Sequence, residues 1–285
     1  MAFVIALIVR LCRNSQRFQS YIRHFHFALF NSNNIDHITN GEAWLARKIS
    51  EFSSPNSLIV DIGCNEDQYL GLFFNTSVTF KRQVIAVDAQ SQALNVLNDK
   101  FQFLHERLQI HCIAISDFVG TLPFNTYSDN SLSKCNSLGN MKSIGFTYDF
   151  TQSLVAVTTI PELLKSTSLG LCDIFFIKLD IEGAEYRALV GALSLLESEQ
   201  RPDVIQFEFG ISARAFNTLF IDFVQLFQAL NYDLFVLGQS FLMNLPNPIL
   251  IDNIYEYGNF VAISSSAPKE LSMELTHNVK QLFQS

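Results

Sequence analysis

The stretch Asp173-Ile-Phe-Phe-Ile-Lys-Leu-Asp-Ile-Glu-Gly-Ala-Glu185 constrains the fold of this chain more than any other. Five of the seven residues from Ile174 to Asp180 are apolar, which reads as a parallel strand buried on both faces. The strand runs out into Asp180, Glu182 and Glu185 around Gly183. Clustered acids repel one another and must be hydrated or paired, so a purely structural strand seldom finishes this way. Open α/β sheets, by contrast, place their chemistry at the carboxyl ends of such strands. The plain alternative is a charged loop that caps the next helix.

Similar runs recur along the chain. Strands are expected at Leu58–Ile62, Val84–Asp88, Ile110–Ser116, Ile174–Asp180, Val204–Phe209, Leu234–Leu237 and Phe260–Ser264. Helical periodicity fills Asn40 to Ser50, Ser91 to Leu108, Gly183 to Glu199 and Ala215 to Leu230. Strands alternating with helices of this length build a parallel sheet through crossover connections. The last two strands are joined by a loop with Pro246 and Pro248 and no convincing helix, which adds an antiparallel hairpin to the sheet. A polar, Ser/Asn-rich insertion, Thr121 to Ala156, follows the third strand and either shapes a substrate pocket or forms a passive hairpin.

Composition narrows the function classes. At 285 residues, 48% hydrophobic and 16% charged, the chain supports one large core, and 27 Phe make that core thick. The net charge of −8 gives no electrostatic support to a nucleic-acid partner. Cysteines 12, 64, 112, 135 and 172 show no CxxC or CxxH spacing, so neither a disulfide framework nor a zinc site is expected, and a reducing cytoplasm is the default. No metal is expected, and His105 and His111 read as surface residues. Residues 1–50 read as an N-terminal helical extension and 51–285 as the main domain. Within the extension, Ala2 to Val9 is apolar and is followed by Arg10, Arg13, Arg17 and Arg23. That run is too short to span a bilayer, leaving an amphipathic helix docked on the domain or a weak peripheral membrane contact through residues 1–20.

Leu58-Ile-Val-Asp-Ile-Gly-Cys-Asn65 is a buried strand entering a tight turn. Gly63 permits close backbone approach, and Asp61 can accept hydrogen bonds from an ammonium or amide. Asp88, at the end of the second strand, offers two oxygens at the separation of a pair of ribose hydroxyls. Ser116 and Asp117 end the third strand, where they could face an adenine amine. An adenosine-containing ligand follows. Dinucleotide binding wants Gly-x-Gly-x-x-Gly to hold a pyrophosphate, yet only Gly63 is present, and Glu66 and Asp67 would repel the anion. S-adenosylmethionine has no phosphate and carries a sulfonium, which nearby acids tolerate.

These blocks, in this order, resemble the FkbM family of methyltransferases over roughly residues 55 to 265. The resemblance rests on Val60–Asn65, Ala114–Asp117 with Gly120, Val157–Leu164, Asp173–Glu185, Leu189–Ala192, Gln206–Glu208 and Asn259–Ala262. It departs at Asp67, where the family usually has glycine, and at Asn231-Tyr232 in place of Gly-Tyr. The resemblance implies a Rossmann-like class I methyltransferase fold with a seven-stranded, mostly parallel α/β sheet. It also implies S-adenosylmethionine held by Asp61, Gly63, Asn65, Asp88, Ser116 and Asp117, with methyl transfer to a hydroxyl of a sugar, glycan or natural-product acceptor. Asp180 is the first candidate for the base or acceptor-orienting residue, then Glu182 and Glu185, although Glu185 could instead serve the helix dipole. Lys178 shares the face of Asp180 and can pair with it, and Glu208 could look into the same cleft. The alternative reading is a non-catalytic module or partner subunit with the same fold.

Overall fold

A computed structural model describes residues 15–66, 68–75, 82–104, 106–127, 136–147, 149–167, 169 and 173–281 of the chain. Among the described residues two helices come first, α1 (Gln16–Phe30) and α2 (Glu42–Phe52). Then β1 (Leu58–Ile62), α3 (Gln68–Asn75), β2 (Gln83–Asp88), α4 (Ser91–Lys100) and β3 (Leu108–Cys112) alternate. A short β4 (Ala114–Ile115) leads into the hairpin of β5 (Gly120–Tyr127) and β6 (Phe150–Thr158), and then α5 (Ile160–Ser166). The second half holds β7 (Ile174–Leu179), α6 (Glu185–Gly191), α7 (Leu193–Leu196), β8 (Val204–Phe209) and α8 (Phe220–Ala229). It closes with β9 (Tyr232–Leu237), β10 (Leu242–Asn244), α9 (Pro248–Ile254), β11 (Gly258–Ser264) and α10 (Lys269–Gln281).

The main sheet has the order β10-β9-β11-β8-β7-β1-β2-β3. Strands β3, β2, β1, β7 and β8 pair in parallel, whereas β11 lies antiparallel between β8 and β9. This is the mostly parallel sheet with an antiparallel last strand that the sequence implies. Strands β1 and β8 fall where expected, and β2, β7, β9 and β11 agree within two residues.

Three features differ from the sequence reading. The run Ile110–Ser116 is not one strand: β3 ends at Cys112, and β4 joins a separate three-stranded sheet, β4-β6-β5. The chain changes sheets because Ile113 N still bonds to Asp88 O at 3.0 Å, while Ser116 N bonds to Thr158 O at 2.9 Å. The Ser/Asn-rich insertion supplies that second sheet as an antiparallel hairpin. The main sheet has eight strands rather than seven, because β10 adds an edge strand antiparallel to β9. Helix α9 occupies the supposed loop: Pro248 stands in its first turn, where the missing N–H costs no intrahelical bond, and Asn247 caps it by accepting from Ile249 N at 3.1 Å.

Strand alternation sends residues to two apolar layers. Val60, Ile62, Ile177, Leu179, Ile205 and Phe207 face α5, α6 and α8. Ile59, Phe176, Val204 and Val261 face the other way, against α2, α3, α4 and α10, with Leu45, Ala46 and Ile49 of α2 fully buried there. Phe207 centres the first layer. Its ring stacks on Phe223 with centroids 4.6 Å apart and planes 3° from parallel, and Phe227 and Phe260 flank it at 5.5 and 5.6 Å. Truncation there leaves an aromatic-sized hole, so Phe207→Ala should lower the unfolding free energy by about 3–5 kcal/mol in urea denaturation. A loss of less than ~1 kcal/mol would mean that this stack is not the centre of the core.

Candidate active site

The sheet order reverses direction between β1 and β7, which opens a crevice at their carboxyl ends. Both exits are turns that require glycine. Gly63 has φ +82°, and a Cβ added there would lie 1.7 Å from the carbonyl oxygen of Asp180. Gly183, at φ +99°, would bring a Cβ within 2.4 Å of the Ser212 carbonyl, and its neighbour Glu182 is itself left-handed at φ 53°. The two loops thus touch backbone to backbone, and a cavity of about 1490 Å³ opens above them.

Gly63, Asn65 and Asp88 stand together on one wall of this cavity, with Gln90 and Ile115 beyond. The Asp88 carboxylate accepts from Asn65 N at 3.1 Å and Gln90 N at 2.8 Å. Burial raises its proton affinity, and these two backbone bonds oppose that. Asn65 Oδ1 is buried without a hydrogen-bond partner among the described residues. Ser116 and Asp117 are not on the wall, because the chain has already left for the small sheet. Ser116 is buried, its hydroxyl donates to Asp117 Oδ1 at 3.0 Å, and the Gly191 backbone packs against its carbonyl. Asp67, the departure from the family pattern, lies outside the described residues.

Asp61 sits beneath the wall rather than on it. It is fully buried, neither carboxylate oxygen has a partner among the described residues, and burial pushes its pKa up to about 7 against the pull of Lys178. Register explains the arrangement: Asp61 pairs with Lys178 across β1 and β7, and Lys178 with Gln206 across β7 and β8. These three form a buried polar row. Gln206 donates to Glu42 at 2.7 Å and to Asn259 at 3.2 Å, and accepts from the Tyr69 hydroxyl at 2.7 Å. The Lys178 ammonium lies 4.8 Å from the centre of the Tyr69 ring and donates to Asp180 Oδ2 at 2.7 Å. Burial disfavours its charge, yet Asp180, Glu42 and Asp61 outweigh that and hold the proton more firmly than usual.

One step further along each strand, Asp180 and Glu208 reach the cavity, and Glu182 joins them. Burial, then the charges of Asp180 and Glu185, push the Glu208 carboxyl well up. The hydrogen bond from Tyr257 pulls the other way. Asp180, Glu182 and Glu208 offer oxygens all within 4.8 Å of one another, the donor set that could hold a divalent cation. Glu185 is turned away. Its Oε1 accepts from Ile181 N at 2.9 Å and Gly183 N at 3.2 Å, so it staples the turn, while burial raises its pKa to about 7. His111, read as a surface residue, has its Nε2 buried without a partner among the described residues. Tyr69, Gln90 and Tyr257 also belong to the cavity and carried no signal of their own in the sequence; Glu208 repeats the acid-after-one spacing of Lys178-Leu-Asp180.

The sequence matches the family model described as Methyltransferase FkbM domain over residues 48–234, more than half of the chain. The chain belongs to the FkbM methyltransferase family. No curated protein matches it. Among solved structures it is similar to the methyltransferase FkbM from Methylobacillus flagellatus KT, at 14% identity and a TM-score of 0.44, covering 75% of this chain but 45% of that one. This chain therefore spans less than half of that protein's length. A putative O-methyltransferase from Klebsiella pneumoniae matches at 11% identity and a TM-score of 0.43, over 93% of this chain and 97% of that one. The O-methyltransferase from Bacillus cereus in complex with SAH matches at 11% and 0.42, over 92% and 97%.

Asp61 gives this FkbM domain a pH signature. Between the unfolded carboxyl value near ~4 and the folded value of about 7, the folded chain binds more protons than the unfolded one. Stability from this group is therefore lost as pH rises through that window, and Glu185 acts with the same sign. Asp61→Asn should be more stable than the parent at pH 8, by an amount on the order of 2–4 kcal/mol, and no more stable at pH 4. Chemical denaturation at the two pH values measures this; an equal difference at both would show that Asp61 is ionised and satisfied in the folded chain.

Proposed function

We propose that this chain is an S-adenosylmethionine-dependent O-methyltransferase whose acceptor is a hydroxyl of a sugar, glycan or natural-product scaffold. The observation that carries the reading is one cavity with a nucleoside-type wall, Gly63, Asn65 and Asp88, facing an acidic wall of Asp180, Glu182 and Glu208. Its volume exceeds the roughly 300–1,000 Å³ of ordinary ligand pockets, so two molecules fit side by side. The cofactor fits the donors present: Glu42, Asp88, Asp180, Glu182, Glu208 and Glu256 line the cavity against Arg23 and Lys178, a balance that favours a cation and rejects a pyrophosphate. Asn65 Oδ1, buried and without a partner among the described residues, is an acceptor for a bound hydroxyl or amine. S-adenosylmethionine, when bound, supplies an electrophilic methyl group on sulfur.

The protein's part is positioning and proton management. Asp88 takes the ribose hydroxyls, and the Gly63 turn lets the backbone lie close beneath the ligand. Asp180, held in place by a hydrogen bond from Lys178 at 2.7 Å, would accept a hydrogen bond from the acceptor and orient it toward the methyl group. Glu208, whose burial raises its affinity for protons, receives the hydroxyl proton as the oxygen–carbon bond forms. Gly183 and the Glu185 staple hold Glu182 in its left-handed turn beside them.

Calorimetric titration with S-adenosylhomocysteine tests the cofactor wall. Micromolar-range binding should weaken at least ~10-fold in Asp88→Ala, since the variant loses a charge-assisted pair of hydrogen bonds. An intact chain that binds none would return the reading to a non-catalytic module. With a hydroxyl acceptor in hand, Glu208→Gln should keep that binding and cut turnover by about 10²–10⁴-fold. Near-normal turnover in Glu208→Gln would move the base to Glu182 or Asp180.

A further inference from the structure

Helix α1 supports a second surface function. None of its 15 residues is buried, although nearly half are large and apolar. Four-residue spacing sorts them into two adjacent stripes. Phe18, Ile22 and His26 line the cavity, whereas Tyr21, Phe25 and Leu29 are 73%, 67% and 57% exposed. Ile22 belongs to both, lining the cavity while 54% exposed, and Ile35 beyond the helix does the same at 76%. The outward apolar surface is thus continuous with the rim of the cavity. The end of the helix nearest the domain is pinned by His26 to Glu256 at 2.8 Å and by Asn31 Nδ2 to the Leu237 carbonyl at 2.9 Å.

Charge points to the occupant. Arg10, Arg13, Arg17 and Arg23 precede the first acid of the chain, Asp36, while the whole chain carries −8. Arg10 and Arg13 lie outside the described residues and Arg23 lines the cavity, so the charge is read from the sequence: a basic, aromatic-rich segment of an acidic chain matches an anionic lipid surface, where aromatic and aliphatic side chains enter the headgroup boundary and arginines stay among the phosphates. Whatever covers Tyr21, Phe25 and Leu29 must also leave the cavity mouth they adjoin open to its substrate. A lipid phase does both, whereas a second protein seated there would close the mouth. No helix among the described residues is long and apolar enough to cross a membrane.

We propose that α1 and the segment through Ile38 seat the mouth of the cavity on an anionic bilayer, giving the site access to hydroxyls carried by lipids. That access matters only if the methyl-transfer reading holds; the docking itself does not depend on it.

Flotation of the full chain with phosphatidylcholine vesicles, with and without phosphatidylglycerol, tests the docking, and S-adenosylhomocysteine titration of the same samples tests the cavity separately. The chain should float with the anionic vesicles, and the exposed triple substitution Tyr21→Ser, Phe25→Ser, Leu29→Ser should reduce flotation at least ~10-fold while its melting and S-adenosylhomocysteine affinity without vesicles match the parent's. Absence of flotation, or equal flotation of parent and variant, would overturn the proposal. So would a parent dimer that the triple substitution converts to monomer in sedimentation, since the stripe would then belong to a second copy. Loss of S-adenosylhomocysteine binding with flotation intact would instead overturn the methyl-transfer reading alone.

Discussion

The active end of this molecule depends on one buried ammonium. Lys178 is 4% exposed near the carboxyl end of the central strand β7, beside Asp61 in β1 and below Asp180 just past the strand. Moving such a charge out of water costs several kcal/mol, which only close opposite charge and full hydrogen bonding can offset. Here Asp180 supplies the direct contact, Asp61 and Glu42 supply field, and the Tyr69 ring covers one side. The same cation lets acids accumulate on the rim above it. Without it, Asp180, Glu208 and Asp61 would crowd a low-dielectric crevice with no cation among them to offset their mutual repulsion.

Geometry of the sheet converts that electrostatic arrangement into an addressable site. Alternation along each strand puts Asp61, Lys178 and Gln206 in one row and Gly63, Asp180 and Glu208 in the next, on the same face. The lower row is buried, with Gln206 hydrogen-bonded to Glu42 of α2 and Tyr69 of α3; the upper row opens to the cavity, which Lys178 also reaches. At the exits, Gly63 and Gly183 allow carbonyl contacts that no side chain would permit. Glu185 spends both its hydrogen bonds on that turn, which is why an acid in a catalytic-looking cluster is structural.

How much of this was legible in the sequence follows from how local each signal is. Continuous apolar runs marked β1, β7 and β8, because a strand buried on both faces needs nothing else to be recognised. The same rule misled at Ile110–Ser116, where the run stays apolar while its pairing partner changes from β2 to β6, and a partner is not written in the run itself. Pro246 and Pro248 suggested a loop because proline breaks helix interiors, but Pro248 stands in the first turn, where that argument does not apply. At the site, Gly63, Asn65, Asp88, Asp180 and Glu182 reach one cavity. Asp61 and Glu185 do not, since strand-end position gives the height of a residue and not the direction of its carboxylate. Gln206 was noticed as part of a motif, yet its role in bridging α2, α3 and β11 appears only once those elements are packed.

Helix α1 shows how the cavity and its cover are linked. A helix of 15 residues is marginal in water by itself, and α1 has few local supports. Ser15 caps it, accepting from Phe18 N at 3.3 Å, but no acid stands in its first turn and no basic residue in its last. Its order must therefore come from what covers its two apolar stripes. One stripe faces the cavity, so a molecule bound there adds contacts to Phe18 and Ile22; the other faces outward. Anything that binds only the helical form stabilises it in proportion to its own affinity, so occupancy of the cavity and cover on the outer stripe favour the same conformation. Cofactor, acceptor and the surface that α1 rests on then act on one equilibrium, with Ile22, shared by both stripes, at the point where they meet.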